Sequence, residues 1–191
     1  MLNFDDTTDN LLTELEKTQK EFWNVDRKTG ALLYYFIIST EAKSVLEIGT
    51  SNGYSGIWLT KALKKTGGKL TTIEYYDKRQ SIARENLKKC GTVDIVRFLQ
   101  GSACEIIESF GNDEVFDFVF IDANKSEYVK YFELIKPHLT DNALIAADNI
   151  TSHPEKVQSF IDVISLDKDF CHEIINLPGG LLVAYKKTPH K

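Results

Sequence analysis

The chain has 191 residues, 42% of them hydrophobic, which fits one α/β domain able to bury a core without disulfides or a structural metal. Its formal net charge of −5 gives no attraction to a phosphate backbone, so no nucleic acid partner is expected. Three scattered cysteines, an acidic start and no apolar run near the roughly 18 residues of a membrane span predict a cytoplasmic protein with reduced thiols and no membrane contact.

Two helix candidates, a polar one at 9–20 and an apolar one at 31–40, come first in the chain. We expect residues 1–43 to form a helical cap on a core at 44–191, the whole chain 1–191 being a single domain. From residue 44 onward, short β-branched runs alternate with amphipathic stretches, which is typical of βαβ units around a mostly parallel sheet.

Seven strands are predicted, at 44–48, 69–74, 95–99, 116–121, 143–147, 172–176 and 181–185. Helices are predicted between them at 54–64, 78–89, 105–110, 126–135 and 155–165. Only Leu177-Pro178-Gly179-Gly180 separates the last two strands, so they are expected to form an antiparallel hairpin at the sheet edge. The predicted fold is therefore α/β, with a seven-stranded, mostly parallel sheet and helices on both faces.

The first predicted strand runs into a glycine-rich turn, Gly49-Thr50-Ser51-Asn52-Gly53-Tyr54-Ser55-Gly56, which leads into a helix. Backbone N–H groups of such a turn can approach a ligand closely because glycine has no Cβ. The spacing G-x-x-x-G-x-x-G is one residue longer than the dinucleotide fingerprint, and the Gly-Lys-Ser/Thr of a P-loop is missing. The turn is a cofactor-site candidate, and a tight turn without a ligand is the alternative.

The next two strand ends extend this candidate site. Glu74 ends the second strand, where a carboxylate can accept hydrogen bonds from both hydroxyls of an adenosine ribose. Ser102 and Ala103 follow the third strand and leave room for a flat adenine. A solvated carboxylate and an ordinary helix start are the alternatives.

Polar residues also follow the fourth and fifth strands, as Asp122-Ala123-Asn124-Lys125 and Asp148-Asn149. Central neighbouring strands place their carboxyl ends in one crevice, so Asp122, Asp148 and Asn149 can converge. Two carboxylates and an amide oxygen suit a hard cation, above all Mg²⁺, better than zinc. For each residue alone, a helix cap, a polar turn or a surface lysine is the alternative.

The sequence Val45-Leu46-Glu47-Ile48-Gly49-Thr50, followed by Gly53-Tyr54-Ser55, resembles the first S-adenosylmethionine (SAM) motif of the cation-dependent O-methyltransferases of the catechol and caffeoyl-CoA type. The resemblance covers about residues 32–186 and implies a Rossmann-like SAM-methyltransferase fold and methyl transfer to a hydroxyl of a small phenolic acceptor. It further implies that Glu74 holds the ribose and that Ser102 and Ala103 border the adenine. The residues that it places around the methionine part of SAM are Glu47, Gly49, Ser51, Gly53 and Ser55.

A second resemblance to the same family lies in its metal-binding and general-base motif, Asp-Ala-x-Lys followed by Asp-Asn after the next strand. This chain has Asp122-Ala123-Asn124-Lys125 and Asp148-Asn149 at these places. The resemblance implies that Asp122, Asp148 and Asn149 bind a divalent cation, Asp122 also bordering SAM, and that Lys125 is the general base. A longer, tryptophan-containing loop of the plant-type members has no counterpart after Asn149, which leaves the acceptor open. The apolar stretch 31–38 either contributes to a homodimer or is buried within one subunit.

The aromatic residues of the predicted cap, Phe22, Trp23, Tyr34 and Tyr35, either line an acceptor pocket or belong to the core.

Three other functions fit the pattern less well. Methyltransferases that act on exocyclic nitrogen of a nucleic-acid base typically carry Pro-Pro-aromatic where this chain has Asp122-Ala123-Asn124-Lys125. A non-catalytic SAM-binding domain would be expected to have lost Asp122, Lys125 or Asp148. An NAD-dependent oxidoreductase would need the shorter glycine spacing.

Overall fold

The computed structural model describes residues 2–188 of the chain; Met1 and residues 189–191, which the single-domain prediction includes, lie outside them. The strands are β1 (Ser44–Ile48), β2 (Lys69–Glu74), β3 (Val96–Gln100), β4 (Phe116–Ile121), β5 (Leu139–Ala147), β6 (Phe170–Ile175) and β7 (Leu181–Lys186). The helices are α1 (Asp6–Glu16), α2 (Gln19–Phe22), α3 (Arg27–Thr40), α4 (Tyr54–Thr66), α5 (Asp77–Lys89), α6 (Ala103–Glu108), α7 (Tyr128–Ile135) and α8 (Pro154–Leu166).

The strands form one sheet in the order β3-β2-β1-β4-β5-β7-β6. The first five strands of the chain pair in parallel, whereas β7 pairs antiparallel with both β5 and β6. The predicted mostly parallel sheet with an antiparallel C-terminal hairpin is confirmed. Because β1 and β4 lie side by side at the reversal of strand order, their carboxyl ends open the crevice in which such sheets bind ligands.

Helices cover both faces of the sheet, as predicted. On one face, Tyr128 and Phe132 of α7 and Phe160 of α8 are buried against the strands. On the other face, Leu33 of α3 and Trp58 of α4 belong to a second buried cluster, and Phe36 of α3 packs against Phe118 of β4 with ring centroids 6.5 Å apart. No helix within residues 2–188 is both long and apolar enough to cross a membrane.

Several element boundaries differ from the predicted ones for identifiable local reasons. Helix α3 begins four residues earlier than predicted because the Asp26 carboxylate caps it, accepting hydrogen bonds from the backbone N–H groups of Lys28 at 2.7 Å and Thr29 at 3.4 Å. Strand β5 begins at Leu139 rather than 143, since Leu139 pairs with Phe116 before a shift in register. The short helix α2 was not predicted.

The turn between β6 and β7 contacts the loop after β5. The Gly179 carbonyl accepts hydrogen bonds from the N–H groups of Thr151 at 2.7 Å and Ser152 at 3.2 Å, and the Gly180 carbonyl accepts one from Ile150 at 3.1 Å. A Cβ at Gly180, where φ is +74°, would lie 2.6 Å from the Thr151 side chain. The hairpin therefore holds the loop that follows Asp148 and Asn149.

Candidate active site

A cleft of about 500 Å³ opens at the carboxyl ends of β1, β2 and β4, within the range of small-molecule sites. Its walls come from the loops after these strands, from the start of α6 and from the segment after α2. Among the predicted site residues, the ones that line it are Gly49, Ser51, Ser55, Glu74, Ser102, Ala103, Asp122 and Lys125.

The glycine loop passes directly against the loop after β4. Gly49 has φ of +105°, and a Cβ there would lie 2.1 Å from the carbonyl oxygen of Asp122. The Asp122 N–H donates to the Ile48 carbonyl at 2.9 Å, which joins the two strand ends. Only glycine fits at residue 49, because any side chain would separate the β1 and β4 loops that together form the floor of the cleft.

Glu47 lies behind the glycine loop rather than in the cleft. Its fully buried carboxylate accepts hydrogen bonds from the Ser55 hydroxyl at 2.5 Å and the Thr72 hydroxyl at 2.6 Å, and Thr72 in turn bonds Thr50 at 2.5 Å. Burial raises the pKa of Glu47 to about 7, against the lowering effect of the two hydroxyl groups. The carboxyl thus ties the start of α4 and the loop to β2.

Glu74 is placed where the sequence predicted, at the end of β2 and in the cleft wall. Its two carboxylate oxygens accept hydrogen bonds from the backbone N–H groups of Ser51 at 2.8 Å and Tyr76 at 2.9 Å. These bonds fix the orientation of the carboxylate, and each oxygen keeps a further acceptor position. Gly53, by contrast, is not a lining residue and serves as the left-handed N-cap of α4, with φ of +83°.

The structure brings Asp122, Asp148, Asn149 and Lys125 together. Lys125 Nζ lies 3.0 Å from Asp122 Oδ1, and the Asn149 amide nitrogen donates to Asp122 Oδ1 at 3.1 Å and to Asp148 Oδ2 at 2.7 Å. Burial raises the pKa of both aspartates; the negative charge of Asp122 adds to the rise at Asp148, whereas Lys125 opposes it at Asp122.

One atom of this cluster has no partner in the part of the chain that is described. Asp148 Oδ1 is buried and makes no hydrogen bond, although an unpaired buried carboxylate oxygen is costly. A cation held between Asp122 and Asp148 would give this oxygen a partner and would reduce the repulsion between the two carboxylates. Asn149 would join as an oxygen ligand after rotation of its amide by half a turn, so these residues fit a hard divalent cation.

The mouth of the cleft carries exposed aromatic side chains. Trp23, Tyr75 and Tyr76 are 70%, 64% and 59% exposed, and the Arg79 guanidinium lies 4.5 Å from the centre of a Trp23 ring. Of the four aromatic residues considered for an acceptor pocket, Phe22 and Trp23 line the cleft. The other two, Tyr34 and Tyr35, are not lining residues and pack edge to face on each other at 5.7 Å.

Arg79, Tyr75 and Tyr76 were missed from the sequence. Their only signal was that Tyr75 and Tyr76 directly follow Glu74 at a strand end. Nothing local to Arg79 predicts its stacking, which depends on the left-handed Trp23, with φ of +56°, at the end of α2.

Residues 5–167 match the model of the O-methyltransferase family. The chain belongs to that family. It is 35% identical over 129 residues to a catechol O-methyltransferase of Niastella koreensis, the match covering 66% of this chain and 58% of that relative. It is 34% identical over 126 residues to a catechol O-methyltransferase of Mycobacterium tuberculosis, covering 66% and 56% respectively. The matched part thus spans less than two thirds of these O-methyltransferases' own length.

Solved structures agree with the family assignment. The O-methyltransferase of Bacillus cereus in complex with S-adenosylhomocysteine (SAH) superposes with a TM-score of 0.86 at 26% identity, covering 98% of this chain and 93% of that one. The O-methyltransferase TomG of Streptomyces achromogenes, in complex with SAM, superposes with a TM-score of 0.86 at 25% identity, covering 98% and 92%.

Proposed function

We propose that this chain is a SAM-dependent O-methyltransferase that methylates a hydroxyl group of a small catechol-type or phenolic acceptor with the assistance of a divalent cation. The observation that carries the proposal is one cleft in which the glycine loop and Glu74 face the cluster of Asp122 and Lys125. The names of the Niastella and Mycobacterium relatives and the SAH bound to the Bacillus enzyme support it.

We assign the cofactor to the β1–β2–β3 side of the cleft. Glu74, whose two oxygens keep acceptor positions, binds the ribose hydroxyls, and the small Ser102 and Ala103 border the adenine. The methionine part lies along Gly49, Ser51 and Ser55, and Asp122 borders its reacting end. Glu47 and Gly53 act from behind the cleft, by holding the loop and the start of α4 in place.

Asp122, Asp148 and Asn149 are the residues that would hold the cation. When bound, a divalent cation lowers the pKa of an acceptor hydroxyl and fixes its direction. Two carboxylates already converge there, the buried Asp148 and the partly buried Asp122, and Asp148 Oδ1 has no partner among residues 2–188.

Lys125 is the residue that we assign to proton transfer. Its side chain is 18% exposed, and its Nζ reaches into the cleft beside Asp122 at 3.0 Å, at the end where the acceptor hydroxyl would lie. In its neutral form Nζ accepts the proton of that hydroxyl, while Asp122 fixes the position of the side chain. The loss of Lys125 therefore reduces turnover more than it reduces cofactor affinity.

The test begins with calorimetric titration of SAM and SAH, followed by methyl transfer to a panel of catechols with Mg²⁺ or with EDTA. We expect cofactor binding, turnover that EDTA abolishes, and a loss of roughly 10²–10⁴-fold in kcat for Lys125→Ala. Lys130→Ala is the matched control, since Lys130 is 55% exposed and pairs with Glu108 on the surface.

Different outcomes separate the alternatives. Turnover that survives EDTA and Lys125→Ala unchanged would favour a methyltransferase that acts without metal, including one acting on nitrogen. SAM binding without turnover on any acceptor would favour a non-catalytic SAM-binding domain. A protein that binds neither SAM nor SAH would contradict the proposal as a whole.

A further inference from the structure

The buried side chain of Tyr128 connects the two strand ends that carry the acidic cluster. Its hydroxyl donates to the carbonyl oxygen of Asp148 at 3.1 Å and also lies 3.4 Å from the carbonyl oxygen of Ile121. Ile121 ends β4 and immediately precedes Asp122, whereas Asp148 immediately follows β5. A single hydroxyl group thus contacts the backbone next to both carboxylates.

The position of this hydroxyl is fixed by packing. Tyr128 is fully buried as the first residue of α7, and its ring stands nearly perpendicular to that of Phe160 of α8, with centroids 5.6 Å apart. The backbone supplies the adjoining bond, from the Asp148 N–H to the Ile121 carbonyl at 3.0 Å. Because a packed tyrosine ring has little freedom, the two strand ends are held at one separation.

This separation matters for the cation more than for the cofactor. Mg²⁺ requires near-ideal octahedral geometry at about 2.0–2.1 Å, so small displacements of a carboxylate reduce its affinity. The unpartnered Asp148 Oδ1 has no hydrogen bond of its own to restrain it among the described residues. The Asn149 amide orients this carboxylate through Oδ2, and its distance from Asp122 follows the backbone of Asp148, which the Tyr128 hydroxyl holds.

We infer that Tyr128 is a positioning residue of the cation site, which sets the distance between the carboxylates of Asp122 and Asp148 through a hydrogen bond to the Asp148 carbonyl. The inference rests on the proposed function, since it concerns the cation assigned there. The alternative is a purely structural hydroxyl, whose loss would lower stability and weaken every ligand together.

The experiment measures Mn²⁺ binding by electron paramagnetic resonance of the free ion, with saturating SAH, for the wild type, Tyr128→Phe and Thr60→Val. Phenylalanine keeps the ring and removes the hydroxyl. Thr60→Val is the control, because it also removes a buried hydroxyl. Thr60 lies on α4 outside the cleft, and its hydroxyl donates to the Thr92 hydroxyl at 3.0 Å. SAH affinity by calorimetry and thermal midpoints are recorded for all three proteins.

We expect Tyr128→Phe to weaken Mn²⁺ binding roughly 10- to 100-fold while the SAH dissociation constant stays within about twofold. Thr60→Val should lose thermal stability and keep its Mn²⁺ affinity. Unchanged Mn²⁺ affinity in Tyr128→Phe, or a parallel loss of SAH affinity, would overturn the inference and leave the proposed function standing. A wild type that binds SAH but no Mn²⁺ would contradict the cation-assisted function, and the inference with it.

Discussion

Replacement of Glu47 by glutamine should remove a pH dependence of folding stability. Folding raises the pKa of this buried carboxyl from 4.5 to about 7, mainly through burial. Below the unfolded-state pKa of 4.5 the carboxyl is neutral in both the folded and the unfolded state, so it has no effect on folding stability. Between this value and about pH 7 the unfolded state ionises while the buried carboxyl stays neutral, so folding stability falls over this range. The loss levels off above about pH 7, and in full it reaches about 3 kcal/mol, at roughly 1.4 kcal/mol per pH unit.

The measurement is urea unfolding of wild type and Glu47→Gln without metal, from about pH 5 to about pH 8. Most of the stability loss occurs between these two pH values. The unfolding free energy of the wild type should therefore fall by about 2.5 kcal/mol relative to that of the variant. Asp122 and Asp148 also have raised pKa values and contribute in both proteins, so the difference between the two profiles reports the ionisation of Glu47 together with its repulsion by Asp122. Parallel pH profiles for the two proteins would refute the assignment of a raised pKa to this carboxyl.

Three further predictions concern the cleft. Gly49→Ala should destabilise the fold by on the order of 3 kcal/mol and abolish SAH binding by calorimetry, because its Cβ would lie 2.1 Å from the Asp122 carbonyl oxygen; wild-type SAH affinity would disprove this. Trp23→Ala should change the unfolding free energy by less than ~0.5 kcal/mol, since Trp23 is 70% exposed, yet weaken SAH binding about fivefold in calorimetry, because Trp23 packs on Arg79, whose guanidinium lies 3.4 Å from the Ser51 hydroxyl; an unchanged SAH affinity would count against a contribution of this stacking to the cofactor site. Mn²⁺ affinity should rise with pH, because the raised pKa of Asp148 makes the cation compete with a proton; a flat profile between about pH 6 and about pH 8 would argue against that carboxylate as a ligand.

The sheet and the acidic cluster could be predicted because each depends on a short-range pattern. The central strands β4 and β5 contain compact apolar runs, and parallel neighbours necessarily place their carboxyl ends at one edge, so Asp122 and Asp148 had to approach each other. The site of Glu74 followed from the same rule. To predict these features, one needs little more than the order of the strands along the sheet.

Other features depend on contacts between distant segments, which the sequence does not display. The side chains of β1 alternate between the two faces of the sheet, and nothing in this pattern distinguishes Glu47. Only the packing of α4 shows that its side chain faces Ser55. An aromatic residue at helical spacing, such as Tyr128, is typical of a core position, and its hydroxyl contacts depend on the register of α7 against β4 and β5. The stacking of Arg79 on Trp23 requires the left-handed turn after α2, for which no local signal exists.

The contact between the β6–β7 turn and the loop after Asp148 has a consequence for the order in which the parts of the site are synthesised. Strand β7 is the last in the chain, yet it lies between β5 and β6, and the carbonyls of Gly179 and Gly180 supply three hydrogen bonds to residues 150–152. During synthesis, a nascent chain that ends before the hairpin already contains the glycine loop and Glu74, whereas its Asp148 loop still lacks those three backbone partners. In the order of synthesis, the glycine loop and Glu74 therefore come before the contacts that hold the loop after Asp148, and the turn that leads into β7 supplies those contacts last.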